Sequence, residues 1–432
     1  MTIKNNQLYL GGIKAIELAK RFGTPLYVYD FDLVADNIER LKRAFKQVGL
    51  KIKIYYAAKA NSSLVLLRFL KNKIEGIDAA SLCEVKIALE AEFDLNKIMI
   101  TSPALTKDDL DYLLKKKITI NVDSFSQIDK IAKMVNSYQI GIRVNPLVEI
   151  GSHSHIRTGG KYSKFGIMPT KVSEAIKRAQ AKSLEVNGLH CHAGSNWLAK
   201  DLVTFKKVAE IMTKTAQEAG EFTKLTYLDF GGGLGIPHRP DEKNFTANQL
   251  IQYAKIIKKS INGAKVGEAR IEPGRFLIGD AGILLTKIIH LSKNEKPINV
   301  AIIDAGFNIF VRPFIYGAYH KIIVCSKANK AFNKKYMIGG NLCEGGDVFN
   351  TSKKELRMMP LLEENDLLAV LNAGAYGFSM SSQFNLRPRP AEVSIINSKA
   401  KLIRKRENYQ DLIKNQSMEP KLGKQELSLV DF

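Results

Sequence analysis

The feature that most constrains the fold is a regular alternation of short β-rich runs with amphipathic helical stretches across the first two thirds of the chain. Strands are predicted at 52–57, 76–78, 97–100, 118–122, 139–144, 184–191, 225–230 and 269–271. Helices are predicted at 31–47, 62–73, 82–92, 107–116, 124–135, 169–181, 200–219 and 246–260. Eight such units over about 240 residues predict an α/β fold, a (β/α)8 TIM-like barrel. An open doubly wound sheet uses the same alternation, but the count of eight and the polar groups at many strand ends favour the barrel.

The character of the sequence changes after about residue 283, where helical patterning becomes rare. β-rich runs separated by turns follow at 283–291, 299–303, 321–325, 367–371 and 391–396, which predicts a mostly antiparallel C-terminal β domain. Near the N-terminus a further helix is predicted at 11–21. We therefore expect a barrel domain at 30–280, a β-rich domain built from 1–29 and 281–415, and a polar tail at 416–432.

Composition and charge bear on location and on partners. No apolar run reaches the roughly 18 residues of a membrane span, and the N-terminus has no apolar signal-peptide core. The four cysteines are widely scattered, as expected of reduced thiols in a cytoplasmic protein. The formal net charge is +22, but the lysines are spread along the whole chain without dense arginine blocks. We therefore expect a solvated basic surface and neither a nucleic-acid nor a membrane partner.

Lys59 stands out because it follows a predicted buried strand, at the end where barrel enzymes place their active sites. A desolvated lysine can form an imine with an aldehyde, and the small neighbours Ala57, Ala58 and Ala60 leave room for a ring. An ordinary surface lysine just past a strand explains this segment equally well.

Two further strand ends carry candidate binding groups. His190 and His192 are two residues apart at the end of the sixth predicted strand, so they share one face of it. No third or fourth zinc ligand follows at a recognisable spacing, so no metal site is predicted. An imidazole stacked on a cofactor ring, with Ser195 near a phosphate, accounts better for this strand end. The glycines 231–233 follow the seventh strand, where backbone N–H groups can approach an anion closely. A structural tight turn explains these glycines almost as well.

Charged groups end the eighth strand and recur in the β domain. Glu272 and Arg275 lie in Glu-Pro-Gly-Arg, which an ion pair alone would explain, although Glu272 beside a pyridine nitrogen would keep it protonated. Arg312 together with Arg275 could hold a carboxylate through paired hydrogen bonds. Cys343 could donate a proton, or could simply be a buried thiol in a turn.

Taken together, these motifs resemble the fold-type III pyridoxal-phosphate (PLP) decarboxylases of the alanine-racemase-like barrel family, from about residue 8 to 412. Within that family they are most similar to the decarboxylases of meso-2,6-diaminopimelate, which release L-lysine and CO2. The motifs that carry the resemblance are Tyr56-Ala-Ala-Lys59-Ala-Asn61, the run 159–166, His190-Cys-His192-Ala-Gly-Ser195, Gly231–Gly233, Glu272-Pro-Gly-Arg275, Arg312-Pro-Phe-Ile-Tyr316, Cys343-Glu344 and Arg387-Pro-Arg-Pro-Ala-Glu392.

The resemblance implies a homodimer with shared active sites and a role for each motif. Lys59 would carry PLP, His192 would stack on its ring and Glu272 would pair with its nitrogen. Tyr376 would contact both cofactor and substrate. Other groups expected around the cofactor are Asp78, Ser195, Gly231, Gly232, Gly233, Pro273, Gly274 and the backbone of Arg275.

The resemblance also assigns the substrate and the proton donor. Arg275, Arg312 and Tyr316 would bind the distal carboxylate of the amino-acid substrate. Glu344 of the partner subunit would bind the distal amine, and Cys343 beside it would protonate the carbanion. Ornithine, arginine or carboxynorspermidine remain alternative substrates of the same fold. Two arginines disfavour a plain distal cation, although they do not exclude carboxynorspermidine.

Overall fold

Eight parallel strands form a closed barrel in which each strand pairs with the next one along the chain. The last of them, Glu268–Ile271, pairs with the first, Ile52–Ala57, and this contact closes the ring. The remaining barrel strands are Gly76–Ala79, Ile98–Thr101, Thr119–Val122, Tyr138–Val144, Leu184–Cys191 and Tyr227–Asp229. The computed structural model describes residues 1–151, 159–292, 297–350 and 355–416. The predicted barrel is confirmed, and every strand begins and ends within two residues of its predicted position.

Eight helices surround the barrel and pack their apolar faces against it. They are Phe31–Gln47, Leu64–Leu70, Leu82–Glu90, Lys107–Lys115, Phe125–Ala132, Val172–Gln180, Leu202–Ala219 and Ala247–Ala264. Several begin at side chains that accept hydrogen bonds from the first turn. Thr106 and Asp109 form a reciprocal capping box, as do Thr246 and Gln249. These local signals explain why helix boundaries follow the sequence pattern closely.

A second, mostly antiparallel sheet is built largely from the C-terminal part of the chain. Its strand order is Arg357–Met359, Lys334–Gly339, Asn299–Ile303, Gly282–Ser292, Leu26–Asp30, Ala391–Ile396 and Lys399–Arg404. Leu367–Val370 also pairs with Gly282–Ser292, and Ile322–Val324 pairs with Leu367–Val370. The N-terminal strand Leu26–Asp30 lies between two C-terminal strands, antiparallel to one and parallel to the other. The predicted C-terminal β architecture is therefore confirmed, with one strand supplied by the N-terminus.

The N-terminal segment differs from its prediction. The helix predicted at 11–21 begins only at Ala15 and ends at Phe22. Gly11 and Gly12 adopt positive φ angles of 52° and 82°, which turn the chain between strands Gln7–Leu10 and Ile13–Lys14. Glycine adopts these angles without steric cost, so a hairpin replaces the first helical turn. Nearly all of the predicted tail at 416–432 lies outside the described residues.

Two apolar clusters account for most of the buried side chains. The larger fills the barrel and the helices around it, and it continues into one face of the sheet. The smaller packs the N-terminal helix Ala15–Phe22 against the other face of the sheet. Among the described residues, no helix is both long and apolar enough to cross a membrane.

Candidate active site

A cavity of about 330 Å³ lies at the carboxyl ends of the barrel strands, where candidate site residues were predicted from the sequence. Because the strands are parallel, these ends meet on one face of the barrel. The lining residues are Lys59, Asp78, Ala80, Thr101, Pro103, Arg143, Lys164, Phe165, His190, His192 and Glu272. The cavity therefore brings together four of the predicted site residues: Lys59, Asp78, His192 and Glu272.

Lys59 is held in this cavity by a carboxylate. It lies in a short 3-10 turn, Ala58–Ala60, directly after the first barrel strand. Its Nζ donates to Oδ2 of Asp78 at 2.7 Å, and the Asp78 side chain is only 2% exposed. Burial disfavours the Lys59 ammonium, but Asp78 and Glu272 outweigh that effect and raise its pKa. Asp78 thus holds the Lys59 amine in place and favours its charged form.

Glu272 and His190 line the cavity, and Asp229 lies next to both of them. His190 Nε2 lies 3.1 Å from Glu272 Oε1, yet the two are not aligned as a hydrogen bond, and neither atom has such a partner among the described residues. Ligand atoms of all three side chains lie within 4.8 Å of one another. Burial raises the pKa of Glu272 well above its usual value and lowers that of His190 to about 4. A buried carboxyl group of this kind fits a protonated ring nitrogen as its partner.

His192 follows the sixth barrel strand, and its ring nitrogen is engaged by the glycine turn. The N–H of Gly232 donates to Nδ1 of His192 at 3.0 Å, which makes Nδ1 an acceptor. Burial, together with the nearby Lys59 charge, lowers the pKa of His192 well below its ordinary value. An uncharged imidazole lining the cavity is suited to stack on a flat ring.

Close packing requires glycine in the turn 231–233, in addition to any need for backbone N–H groups to approach a bound anion. Gly231 has φ +64°, and a Cβ there would lie 2.2 Å from the carbonyl oxygen of Cys191. The N–H of Gly231 already donates to Asp229 Oδ1 at 2.9 Å. By contrast, the N–H groups of Gly233, Gly274 and Arg275 make no hydrogen bond to another described residue. These three N–H groups are therefore the backbone donors that remain available to a phosphate.

Two buried arginines, Arg275 and Arg312, have no acidic partner among the described residues. Arg275 donates through Nη2 to Ser195 Oγ at 3.3 Å and lies over the ring of Tyr376, with its Cζ 4.7 Å from the ring centre. Arg312 and Arg275 are each 5% exposed, and none of the described carboxylates lies within 4.0 Å of either guanidinium. Burial lowers the pKa of Arg312, and the neighbouring Arg275 lowers it further. Tyr316 lies beside Arg312, whose Cζ is 5.8 Å from that ring centre.

Tyr376 connects the arginines to Lys59. Its backbone N–H donates to the carbonyl oxygen of Ala60 at 2.8 Å, in the turn that carries Lys59. Its φ of +58° is unusual for a tyrosine. Pro273 and Gly274 are buried next to Glu272.

Cys343 and Glu344 are not part of the cavity in this chain. Both side chains are exposed on a loop of the β domain, and the Cys343 N–H donates to Asn385 Oδ1 at 2.9 Å. Phe314 and Phe384 lie on the same surface, each stacked with Phe307 and nearly half exposed. The structure therefore separates these two predicted residues from the others.

Several residues in or next to the cavity escaped prediction from the sequence. Arg143 is the penultimate residue of the fifth barrel strand, forms an ion pair of 3.4 Å with Asp123 and lies over the ring of Phe165. Asp229 ends the seventh strand and accepts the hydrogen bond from the glycine turn. The available signal was a charged residue in an otherwise apolar barrel strand, which both Arg143 and Asp229 provide.

Comparison with known proteins agrees with this geometry. The family described as pyridoxal-dependent decarboxylase, pyridoxal binding domain, matches residues 34–279. The diaminopimelate decarboxylase of Methanothermobacter thermautotrophicus is 38% identical over 423 residues, which is 96% of this chain and 97% of that protein.

Solved structures give the same result. A crystal structure of diaminopimelate decarboxylase from M. jannaschii in complex with L-lysine has a TM-score of 0.85 and 34% identity, over 97% of this chain and 98% of that one. The Helicobacter pylori diaminopimelate decarboxylase complexed with L-lysine has a TM-score of 0.84 and 33% identity, over 92% and 98% of the two chains. The chain belongs to the pyridoxal-dependent decarboxylases, and within them to the diaminopimelate decarboxylase family.

Proposed function

We propose that this chain catalyses the PLP-dependent decarboxylation of meso-2,6-diaminopimelate to L-lysine and CO2. The observation that carries the substrate assignment is the pair of buried arginines, Arg275 and Arg312, which have no described carboxylate partner. Leaving two buried guanidinium groups unpaired is costly, so a ligand carboxylate is the expected partner. A distal carboxylate distinguishes diaminopimelate from ornithine and arginine.

The cofactor fits the residues of the cavity. Lys59 would hold its aldehyde carbon, Glu272 its ring nitrogen, and His192 one face of its ring. Gly233, Gly274, Arg275 and Ser195 would hold its phosphate, while Gly231 and Gly232 give the turn its shape. When bound, PLP supplies an electron sink for the charge left by loss of CO2.

The chain's own residues prepare the amine and the ring. Asp78 holds the Lys59 ammonium at 2.7 Å and can accept a hydrogen bond from it whenever the amine is displaced by substrate. Glu272 would share a proton with the ring nitrogen, because a buried carboxylate is unfavourable unless it has a partner for its charge.

We also propose that the active site is completed by a second copy of the chain, as a homodimer. Cys343 would then protonate the reacting carbon of the partner's substrate, and Glu344 would bind the distal amine. The exposed aromatic surface formed by Phe314 and Phe384 supports this, because apolar side chains exposed beside functional residues are typical of an interface. All four cysteines lie in the described residues and are free, which supports a cytoplasmic location.

The function is tested by CO2 release from meso-diaminopimelate, compared with ornithine, arginine and carboxynorspermidine. Purified protein is expected to show the visible absorbance of lysine-bound PLP, and Lys59→Ala should remove both that absorbance and CO2 release. An enzyme that turns over ornithine but not diaminopimelate would refute the substrate assignment. Unchanged absorbance in Lys59→Ala would refute the assignment of Lys59 as the residue that binds PLP.

A further inference from the structure

We propose that His320 is a positioning residue, an uncharged hydrogen-bond acceptor that orients the guanidinium of Arg312 towards the distal carboxylate of the substrate. The proposal rests on the proposed function, in which Arg312 binds that carboxylate. His320 lies four residues beyond the short helix Arg312–Tyr316, and its side chain is 1% exposed. It was not among the residues expected from the sequence.

The hydrogen bonds of His320 define its protonation state. Arg312 Nε donates to His320 Nε2 at 3.2 Å, and His320 Nδ1 lies 2.8 Å from the carbonyl oxygen of Leu371. A guanidinium can only donate and a carbonyl can only accept, so Nε2 must be the bare nitrogen and Nδ1 must carry the proton. Both bonds can exist together only in the neutral imidazole with its proton on Nδ1.

An uncharged acceptor preserves the charge of Arg312. A carboxylate in this position would orient the guanidinium equally well, but it would also neutralise it and weaken its attraction for a substrate anion. The charged groups around His320 are Arg312, Arg275 and Arg357, and the rings against it belong to His238 and Phe310. Burial and these cations lower the pKa of His320, which is consistent with the neutral form.

The contact also determines which edge of Arg312 is left for a ligand. Because Nε is engaged by His320, the pair Nη1 and Nη2 remains, and neither makes a hydrogen bond to another described residue. A carboxylate would therefore bind end-on across these two nitrogens. Lysine at position 312 could not reproduce this arrangement, because it has no second group for the imidazole to hold.

Ring packing holds His320 in this orientation. Its centroid is 4.7 Å from that of His238 and 4.6 Å from that of Phe310, both in edge-to-face contacts. His320→Phe would retain these contacts while removing both hydrogen bonds. His320→Gln would retain one donor and one acceptor at about the spacing of the two ring nitrogens.

The kinetic test uses the PLP-loaded enzyme and meso-diaminopimelate. His320→Phe is expected to raise KM about tenfold or more with kcat within roughly threefold, since a hydrogen bond to a charged group is lost. His320→Gln should recover most of the affinity. The exposed His290→Phe serves as the matched control and should behave as wild type. Thermal unfolding and PLP absorbance report whether each variant is folded.

A double-mutant cycle with Arg312→Lys separates positioning from a merely structural effect. If His320 acts through Arg312, the double variant should bind substrate no more weakly than Arg312→Lys alone. Additive losses, or a fall in kcat with KM unchanged, would overturn the proposal. Absence of diaminopimelate turnover by the wild-type enzyme would instead count against the proposed function.

A measurement on the wild-type enzyme tests the protonation state of His320 directly. Nitrogen-15 NMR of labelled histidine, with the His320 signal identified by its loss in His320→Gln, should show the neutral Nδ1–H form at pH 7. A charged imidazolium, or a proton on Nε2, would overturn the proposal even if substrate turnover is as expected.

Discussion

At the scale of single residues, the site contains buried ionisable groups that need a ligand to complete their hydrogen bonds. Lys59 has Asp78 as its partner, whereas Glu272 Oε1 and Arg275 Nε have no hydrogen-bond partner among the described residues. Buried ionisable groups without hydrogen-bond partners are unfavourable, so cofactor and substrate are expected to stabilise the fold when they bind.

Replacing Glu272 tests whether its carboxyl group supports the ring nitrogen. The variant Glu272→Gln is expected to bind PLP but to have a kcat about 100-fold lower than that of the wild type. An amide has no negative charge with which to keep the ring nitrogen protonated, and a protonated ring is the better electron sink. Glu268→Gln is the matched control, since Glu268 lies at the other end of the same strand and pairs with Lys53 and Arg270. Wild-type kcat in Glu272→Gln would contradict this role.

The residues at strand ends could be predicted from the sequence, but the contacts between them could not. Lys59 and Glu272 were identified because a charged residue at the end of a barrel strand needs an explanation. The link from His320 to Arg312 joins residues in a turn-rich region where no periodic pattern indicates which side chains meet. Arg143 escaped because its partner Asp123 lies 20 positions earlier, just after the end of the neighbouring strand Thr119–Val122.

At the scale of elements, the glycine turn after the seventh barrel strand is the most sensitive connection. Gly231→Ala should lower both PLP occupancy and the thermal unfolding temperature. The added Cβ would meet the Cys191 carbonyl at 2.2 Å, at a φ of +64° that alanine disfavours. Gly267→Ala is the control, because a Cβ there would meet no atom within 4 Å. Full PLP binding by Gly231→Ala would show that the turn adapts.

The connection after the last strand depends on one carboxylate, Glu407. It accepts from the backbone N–H of Arg389 at 2.9 Å, from Arg389 Nε at 2.7 Å and from Gln383 Nε2 at 2.9 Å. Although burial opposes it, these donors lower the pKa of Glu407 to about 2. Because the folded-state value lies below the unfolded one, the stabilisation is complete above roughly pH 5 and is lost as the pH falls towards 2.

Glu407→Gln should therefore reduce the free energy of unfolding at pH 7 by about 1 kcal/mol, after allowance for solvent screening. The difference from wild type should narrow as the pH falls from about 5, which thermal unfolding across a pH series would measure. Glu17→Gln, in an exposed pair with Lys14, should have little effect at any pH. A gap that stays constant with pH would exclude the ionised carboxylate as the cause.

The elements of the barrel were predicted well, but strands Lys334–Gly339, Arg357–Met359 and Lys399–Arg404 of the second sheet were not predicted. The barrel strands and helices follow from periodicity, but the strand Leu26–Asp30 was missed. Its partners are residues 282–285 on one side and 391–395 on the other, so nothing nearby in the sequence marks it as the centre of a sheet.

At the scale of the whole molecule, subunit mixing tests whether active sites are shared. Lys59→Ala and Cys343→Ala homodimers should each be nearly inactive, because each lacks one required group at both sites. After equal mixing and exchange of subunits, half of the dimers would be hybrids with one intact site, giving about a quarter of wild-type activity. No recovery after verified exchange would place Lys59 and Cys343 of one chain in the same site.

The position of Leu26–Asp30 also determines the order in which the molecule can be made. All five of its residues are buried, yet neither neighbouring strand exists until the ribosome has added more than 250 further residues. The barrel can close while this apolar strand is still unpaired on the nascent chain. Completion of the sheet must then await release of residues 391–395, so premature termination before that point would leave an aggregation-prone edge for chaperones to cover.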